Sequence, residues 1–197
     1  MLSEKHLERF EHDGFIEWRN FIDDTVASLL RDEITELKRA GELKKAAIGK
    51  GVEKHIDAEQ RGDFIHWIDP ENSSPSVKIM LEAMEEIRTD LNRSFFLGIE
   101  NFECHFTEYP AGTFYKKHVD RHRSGSPRIV SVVLYLNENW QLTDGGQLIV
   151  YHLNNSQDEI IPQCGTLVLF LSEKEHEVLT TYRVRNSITG WMRQRTI

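Results

Sequence analysis

Two short stretches of the chain place a His two residues before an Asp: "EKHIDAEQRG" from Glu53 to Gly62 and "KKHVDRHRSG" from Lys116 to Gly125. In an extended segment that spacing turns both side chains to the same side, so an imidazole and a carboxylate can reach one ion. Two imidazoles and one carboxylate on one face of an octahedral metal leave three positions open for a cosubstrate and oxygen, a set suited to non-haem Fe(II). With nine His and 32 acidic residues among 197, the pattern arises readily by chance. The surroundings must therefore choose between His55/Asp57 and His118/Asp120.

The first half of the chain reads as helical. From Asp23, an N-cap by type, Val26, Leu29, Leu30, Ile34 and Leu37 recur at the spacing of one helix face, and Gly41 follows as a stop. A second amphipathic helix begins near Ser74 with Pro75 in its first turn, and Ile79, Met80, Ala83, Met84, Ile87 and Leu91 form its stripe. After about Ile99 the period changes to two. The segments "NFECHFTEY", "RIVSVVLYLN", "GGQLIVYH", "GTLVLFL" and "RVRNSITGWM" read as strands separated by turn signals. This order predicts an α+β fold: a jelly roll, or double-stranded β-helix, with N-terminal helices packed on one sheet. One domain over residues 1–197 is expected, its helical support mostly in 1–98 and its β-core mostly in 99–197.

That organisation favours the second stretch. His118 and Asp120 are followed by a run of strands from which a third ligand can fold back, whereas a long helix follows His55 and Asp57. Downstream of Asp120 the candidates are His122, His152 and His176. His122 is too near to reach around the ion, and His152 ends a β-run. His176 opens a new segment at the mouth of the predicted sheet and is the preferred third ligand.

Nine residues beyond His176 stands Arg185, in "YRVRNSITGW". Taken together, "HVD", "HEV" and this Arg in an R-x-S-I-T-x-W strand resemble the Fe(II)- and 2-oxoglutarate-dependent oxygenases. The resemblance is greatest to their prolyl 4-hydroxylase group, which includes the oxygen-sensing hydroxylases and bacterial relatives. It extends back through "YPAGTFYKKHVD", "VLYLN", "DGGQL" and "RGDFIHWI", covering roughly 61–191. It implies His118, Asp120 and His176 as iron ligands and Arg185 with Tyr135 as the holders of the distal carboxylate of 2-oxoglutarate. Tyr109, Val133, Leu148 and Trp191 would line the cosubstrate site. It further implies O2 as oxidant, ascorbate as an accompanying reductant, and a prolyl residue of a protein or peptide as substrate, with release of succinate and CO2.

Two alternatives stand beside this: the same chemistry on a free amino acid or other small molecule, and a metal-binding jelly roll without turnover. A carboxylate clamp argues against the second. Period two places Ser131, Val133 and Tyr135 on one strand face and Arg185, Ser187, Thr189 and Trp191 on another, both looking into the barrel. His105 and Thr107 share a face with Tyr109, where the resembled family usually has less polar side chains. Arg183 lies two residues before Arg185 on the same predicted face. The polar stretch 42–60 is expected to be a flap covering the substrate, with Lys44, Lys45, Lys50 and Lys54 meeting the target.

Composition narrows the remaining classes. A hydrophobic content of 39% and charged content of 28% are those of a globular domain, and no apolar run is long enough to span a bilayer. No export signal is visible, which leaves the cytoplasm as the expected compartment. Cys104 and Cys164 are widely separated, suggesting reduced thiols rather than a disulfide or zinc site. A net charge of −8 disfavours nucleic acid as a partner.

Overall fold

The computed structural model describes residues 1–47, 55–57, 59–121, 126–153 and 155–195. Among these residues three α-helices, α1 (Glu4–Asp13), α2 (Asp24–Arg39) and α3 (Pro75–Phe95), support eleven strands. The strands are β1 (Phe15–Trp18), β2 (Lys44–Lys45), β3 (Phe64–Trp67), β4 (Ile99–Tyr109), β5 (Tyr115–His118), β6 (Arg128–Tyr135), β7 (Leu148–Tyr151), β8 (Gln157–Ile160), β9 (Leu167–Leu171), β10 (His176–Val178) and β11 (Arg185–Gln194). They form a seven-stranded sheet, β1-β9-β6-β11-β4-β3-β2, and a four-stranded sheet, β5-β10-β7-β8. From β4 onward, successive strands swap between the two sheets singly or in pairs. That is the winding of a double-stranded β-helix.

Local chemistry explains the helix ends. Asp23 and Ser74 each accept a hydrogen bond from the backbone N–H three residues on, at Val26 and Val77, satisfying a donor that the first helical turn leaves free. Pro75 occupies the first helical position, where its missing N–H costs nothing. The same capping logic holds at Ser3, which starts α1, a helix the sequence reading left unassigned.

The two faces of the large sheet do different work. Leu30 and Ile34 of α2 and Met80, Met84, Ile87 and Leu91 of α3 pack with Cys104, Phe106, Val130, Val132, Leu134 and Ile188 in one core between helices and sheet. The opposite face, carrying Tyr109, Val133 and Tyr135, packs with Leu148, Val150, Phe170 and Val178 inside the barrel. The expected alternation of β4 is thus present, its Cys104 and Phe106 facing the helices and its Glu103, His105, Thr107 and Tyr109 facing the barrel.

Two members of the predicted stripes are corrected. Leu29 and Ile79 are each 49% exposed, because each lies at the edge of its helix's apolar arc, away from the sheet. Leu30 is fully buried. Leu30→Ala should therefore destabilise the fold by about 2–5 kcal/mol, and Leu29→Ala by no more than about 0.5 kcal/mol. Equal effects in chemical denaturation would show that the packing face has been assigned wrongly. No helix among the described residues is long and apolar enough to cross a membrane.

Candidate active site

A cavity of about 480 Å³ opens between the two sheets. On one wall, β10 pairs with β5 so that His176 lies opposite His118. Their ring centroids are 4.2 Å apart. Each imidazole is oriented in the same way: Nδ1 lies 2.7 Å from the Lys116 carbonyl in His118 and 3.0 Å from the Lys174 carbonyl in His176. A carbonyl only accepts, so each Nδ1 carries a proton and each Nε2 is the ring atom left to face the cavity, the orientation a metal ligand requires.

Both Nε2 atoms converge on Asp120. Its Oδ1 is 3.7 Å from His118 Nε2 and its Oδ2 3.5 Å from His176 Nε2. Ser131 donates to Oδ2 at 2.7 Å and is itself 2.9 Å from the Ser172 hydroxyl. The backbone N–H groups of Asp120 and Arg121 both donate to the Ser172 carbonyl, pinning the segment after β5. Burial would raise the Asp120 carboxyl, but His176, His118 and the Ser131 hydrogen bond outweigh it and hold the group below its usual range. Burial, then the neighbouring His176, lowers His118 to about 3, so the ring is neutral near pH 7. One donor atom from each residue lies within 4.8 Å of the others, the single group among the described residues able to hold a metal ion. Two imidazoles turned inward through Nε2 and an ionised carboxylate fit a divalent cation.

Deeper in the cavity lies a buried cation. Arg185 is 2% exposed, and no carboxylate pairs with it among the described residues. Its Nε donates to the Gly146 carbonyl at 2.9 Å. The guanidinium lies 5.1 Å from the Tyr109 ring centroid and 4.9 Å from that of Tyr135. The Tyr135 hydroxyl is buried and closes no hydrogen bond. Burial lifts it to about 12, with Arg185 acting in the opposite direction. An unpaired buried guanidinium beside an unsatisfied hydroxyl is expensive unless an anion comes to meet them.

The "DGG" turn gains its reason from this clamp. Gly146 has φ +69°, and a Cβ there would sit 3.0 Å from Arg185 Cδ and 3.0 Å from the Thr181 hydroxyl. Gly146→Ala is expected to lower the melting temperature through backbone strain and also to weaken anion binding by displacing Arg185. A variant with lowered stability but unaltered anion affinity would separate the turn from the clamp.

Val133, Leu148, Phe170 and Trp191 complete the lining, with His105 and Thr107 on the same wall as anticipated. Burial lowers His105 to about 4, and its Nδ1 lies 2.9 Å from the Thr107 hydroxyl. Trp191's indole N–H is buried, close enough to help hold Asp120 ionised, yet forms no hydrogen bond of normal geometry.

Other expected residues lie elsewhere. Arg183 precedes β11, is 46% exposed, and pairs with Asp144 at 3.2 Å rather than entering the barrel. His152 is bound to Asp158 at 2.7 Å and Lys174 at 3.0 Å, while His122 lies outside the described residues. His55 is exposed, and Asp57 accepts a hydrogen bond from the Glu59 N–H at 2.9 Å. Neither belongs to a metal-capable group among the described residues. Lys50 and Lys54 are also outside them.

Sequence reasoning passed over one part of the wall. Arg61 grips the buried Asp63 carboxylate at 2.7 and 2.5 Å and lies 4.4 Å from the Tyr115 ring centroid. Tyr115 in turn stacks on His118 at 3.6 Å. The signal was the "RGD" before β3: two opposite charges one residue apart in an extended segment share a side.

Residues 104–193 match the family model described as the 2OG-Fe(II) oxygenase superfamily. Among solved structures, a prolyl-4-hydroxylase from Pseudomonas putida is 39% identical, with 98% of each chain covered and a TM-score of 0.88. A prolyl hydroxylase from Trichoplax adhaerens, solved with a hypoxia inducible factor oxygen degradation domain peptide fragment, is 26% identical. It covers 96% of this chain and 87% of its own, with a TM-score of 0.87. A non-haem alpha-ketoglutarate-dependent carbocyclase of nogalamycin biosynthesis is only 10% identical over 98% of this chain and 84% of its own, with a TM-score of 0.74. That last likeness concerns the fold alone. An identity of 39% over nearly the full length, joined to a donor set that fits a divalent cation and a clamp that fits a carboxylate, places the chain in the 2OG-Fe(II) oxygenase superfamily, prolyl 4-hydroxylase group: it is a dioxygenase that uses Fe(II) and 2-oxoglutarate to hydroxylate a substrate carbon.

Proposed function

We propose that His118, Asp120 and His176 hold the Fe(II), that Arg185 and Tyr135 take the distal carboxylate of 2-oxoglutarate, and that the substrate is a prolyl residue of a protein or peptide. The observation carrying the reading is the buried, unpaired Arg185 in the same cavity as the His–Asp–His group. A metal-binding module without a cosubstrate has no need to bury a guanidinium without a counter-ion. When bound, Fe(II) with 2-oxoglutarate and O2 supplies the oxidising power that puts a hydroxyl on the substrate carbon, with succinate and CO2 as coproducts.

The protein's own contribution is positional. The carbonyls of Lys116 and Lys174 fix the two imidazole tautomers, and Ser131 holds the carboxylate of Asp120. Arg185 offers a planar fork matched to a carboxylate, and Tyr135 offers the hydroxyl that lacks a partner. Tyr109, Val133 and Leu148 pack around Tyr135 and wall this end of the cavity against water, which strengthens both interactions.

The prolyl assignment draws on the 39% identical relative, named a prolyl-4-hydroxylase. Of the stretch 42–60 expected to cover the substrate, Lys44 and Lys45 pair with β3, and residues 48–54 and 58 lie outside the described residues. Residues 1–197 are read as one working domain, since α1, α2, α3 and the strands of the large sheet share one core. The test is turnover with Fe(II), 2-oxoglutarate and O2 on a prolyl peptide library, read by mass spectrometry. One added oxygen localised on proline, matched by succinate, is the expected result. Oxygen added to another residue type, or succinate only with free amino acids, would replace the prolyl reading.

A further inference from the structure

The mouth of the cavity carries a charge cluster used by neither the metal-binding group nor the Arg185 clamp. Arg193 of β11 stands opposite Arg128 of β6 in the ladder. Like charges placed side by side across strands destabilise a sheet. One carboxylate, Glu103 of β4, serves both. Arg193 Nη1 donates to its Oε2 at 2.6 Å, while Arg128 reaches Oε1 through Nε and Nη2 only at 3.3 Å. Arg193 Nε is buried without an acceptor. Arg128 lies over Trp191, its Cζ 3.4 Å from the ring centroid, so its fork is held in place rather than free to turn away. The three charged side chains line the cavity and remain 28–31% exposed.

Two cations against one anion leave a surplus positive charge at the entrance, in a chain whose total is −8. The surplus is kept at the cost of an Arg–Arg neighbour pair, and it retains one donor, Arg193 Nε, with no acceptor among the described residues. A fork of this kind matches a carboxylate.

We propose that Arg193 and Arg128, spaced by Glu103, form a subsite for a carboxylate side chain of the substrate polypeptide, so that the enzyme selects an Asp or Glu flanking the residue it hydroxylates. This rests on the reading of the substrate as a polypeptide.

The experiment is selection from a randomised displayed peptide library on the protein loaded with Mn(II) and 2-oxoglutarate, so that binding is read without turnover. Asp and Glu are expected to be enriched in the recovered peptides. Arg193→Gln should erase the enrichment, and Glu103→Gln, which removes the competing carboxylate, should increase it. A recovered acidic peptide should bind the Arg193→Gln variant about threefold to fivefold more weakly, and the difference should shrink in high salt. No acidic enrichment with the wild type, or enrichment unmoved by both substitutions, overturns the proposal. Acidic peptides lacking proline would instead retire the prolyl reading and leave the subsite standing, whereas proline-rich peptides without acid would do the reverse.

Discussion

Replacing His118, Asp120 or His176 with alanine is expected to abolish succinate formation and to remove stoichiometric metal binding, while the apo-protein keeps its melting temperature. Each residue offers the ion a donor atom already aimed by its neighbours, so losing one removes a bond rather than adjusting it. The effect should exceed the roughly 10- to 100-fold cost typical of residues that only position a ligand. Ser131→Ala supplies that comparison, since it removes one hydrogen bond from Asp120 and leaves all three donors. Asp120→Ala is the mildest of the three, because water or halide can enter the vacated position. Succinate release measured alongside metal content distinguishes the cases. A histidine variant that kept most of its turnover would exclude that residue as a ligand.

The second large effect concerns Arg185. Arg185→Ala should weaken 2-oxoglutarate binding by about 2–5 kcal/mol, because a buried carboxylate would lose its charge-assisted partner. At the low end that is roughly a thirty-fold rise in Kd, with metal affinity unchanged. Arg183→Ala removes an exposed pair with Asp144 and a hydrogen bond to the Glu138 carbonyl, both outside the barrel, and should change the affinity by no more than about 1 kcal/mol. Tyr135→Phe should fall between them, losing a neutral hydrogen bond while the ring remains.

Arg185→Met makes the same point with opposite signs. Replacing an unpaired buried cation with an apolar chain of similar length should raise the melting temperature of the ligand-free protein. The same change should cancel the further rise that 2-oxoglutarate gives the Mn(II)-loaded wild type. Calorimetric melting with and without 2-oxoglutarate reads both effects. A variant that loses stability without ligand, yet still responds to 2-oxoglutarate, would place the carboxylate elsewhere.

What was legible in the sequence follows from how each signal is generated. The long helices were readable because Asp23, Ser74 and Pro75 mark their starts and because Leu30, Ile34, Met84 and Ile87 repeat at helical spacing. The long strands β4 and β11 were readable from alternation and β6 from its dense β-branched run, and alternation also turned Arg185, Ser187, Thr189 and Trp191 to the barrel side. Short elements carried too few residues for a period: β1 is four residues and β10 three, so their pairing comes from the rest of the sheet. The resemblance picked Arg185 over Arg183, and the fold explains the choice: β11 begins at Arg185, so Arg183 has no strand face to share.

Some parts of the site needed tertiary structure. The Nδ1–H to carbonyl contacts that set both imidazoles depend on the local bend of the backbone before each His, which no residue type announces. Gly146 was visible as a turn residue, but its role in leaving room for Arg185 appears only when the turn and β11 are brought together. The Arg61–Asp63 pair, Tyr115 and His118 form a stack drawn from two distant segments. The exposure of Leu29 and Ile79 likewise reflects how each helix rolls on the sheet, which helical spacing alone leaves open.

The central claim is that one cavity holds the metal on His118, Asp120 and His176 and the cosubstrate carboxylate on Arg185. Crystals grown anaerobically with Mn(II) and 2-oxoglutarate, measured for anomalous scattering by manganese, test it most directly. The account predicts one manganese peak per chain between the two Nε2 atoms and the Asp120 carboxylate, with a 2-oxoglutarate carboxylate on the Arg185 guanidinium and the Tyr135 hydroxyl. A peak at His55 and Asp57, or a 2-oxoglutarate whose distal carboxylate avoids Arg185, would contradict it.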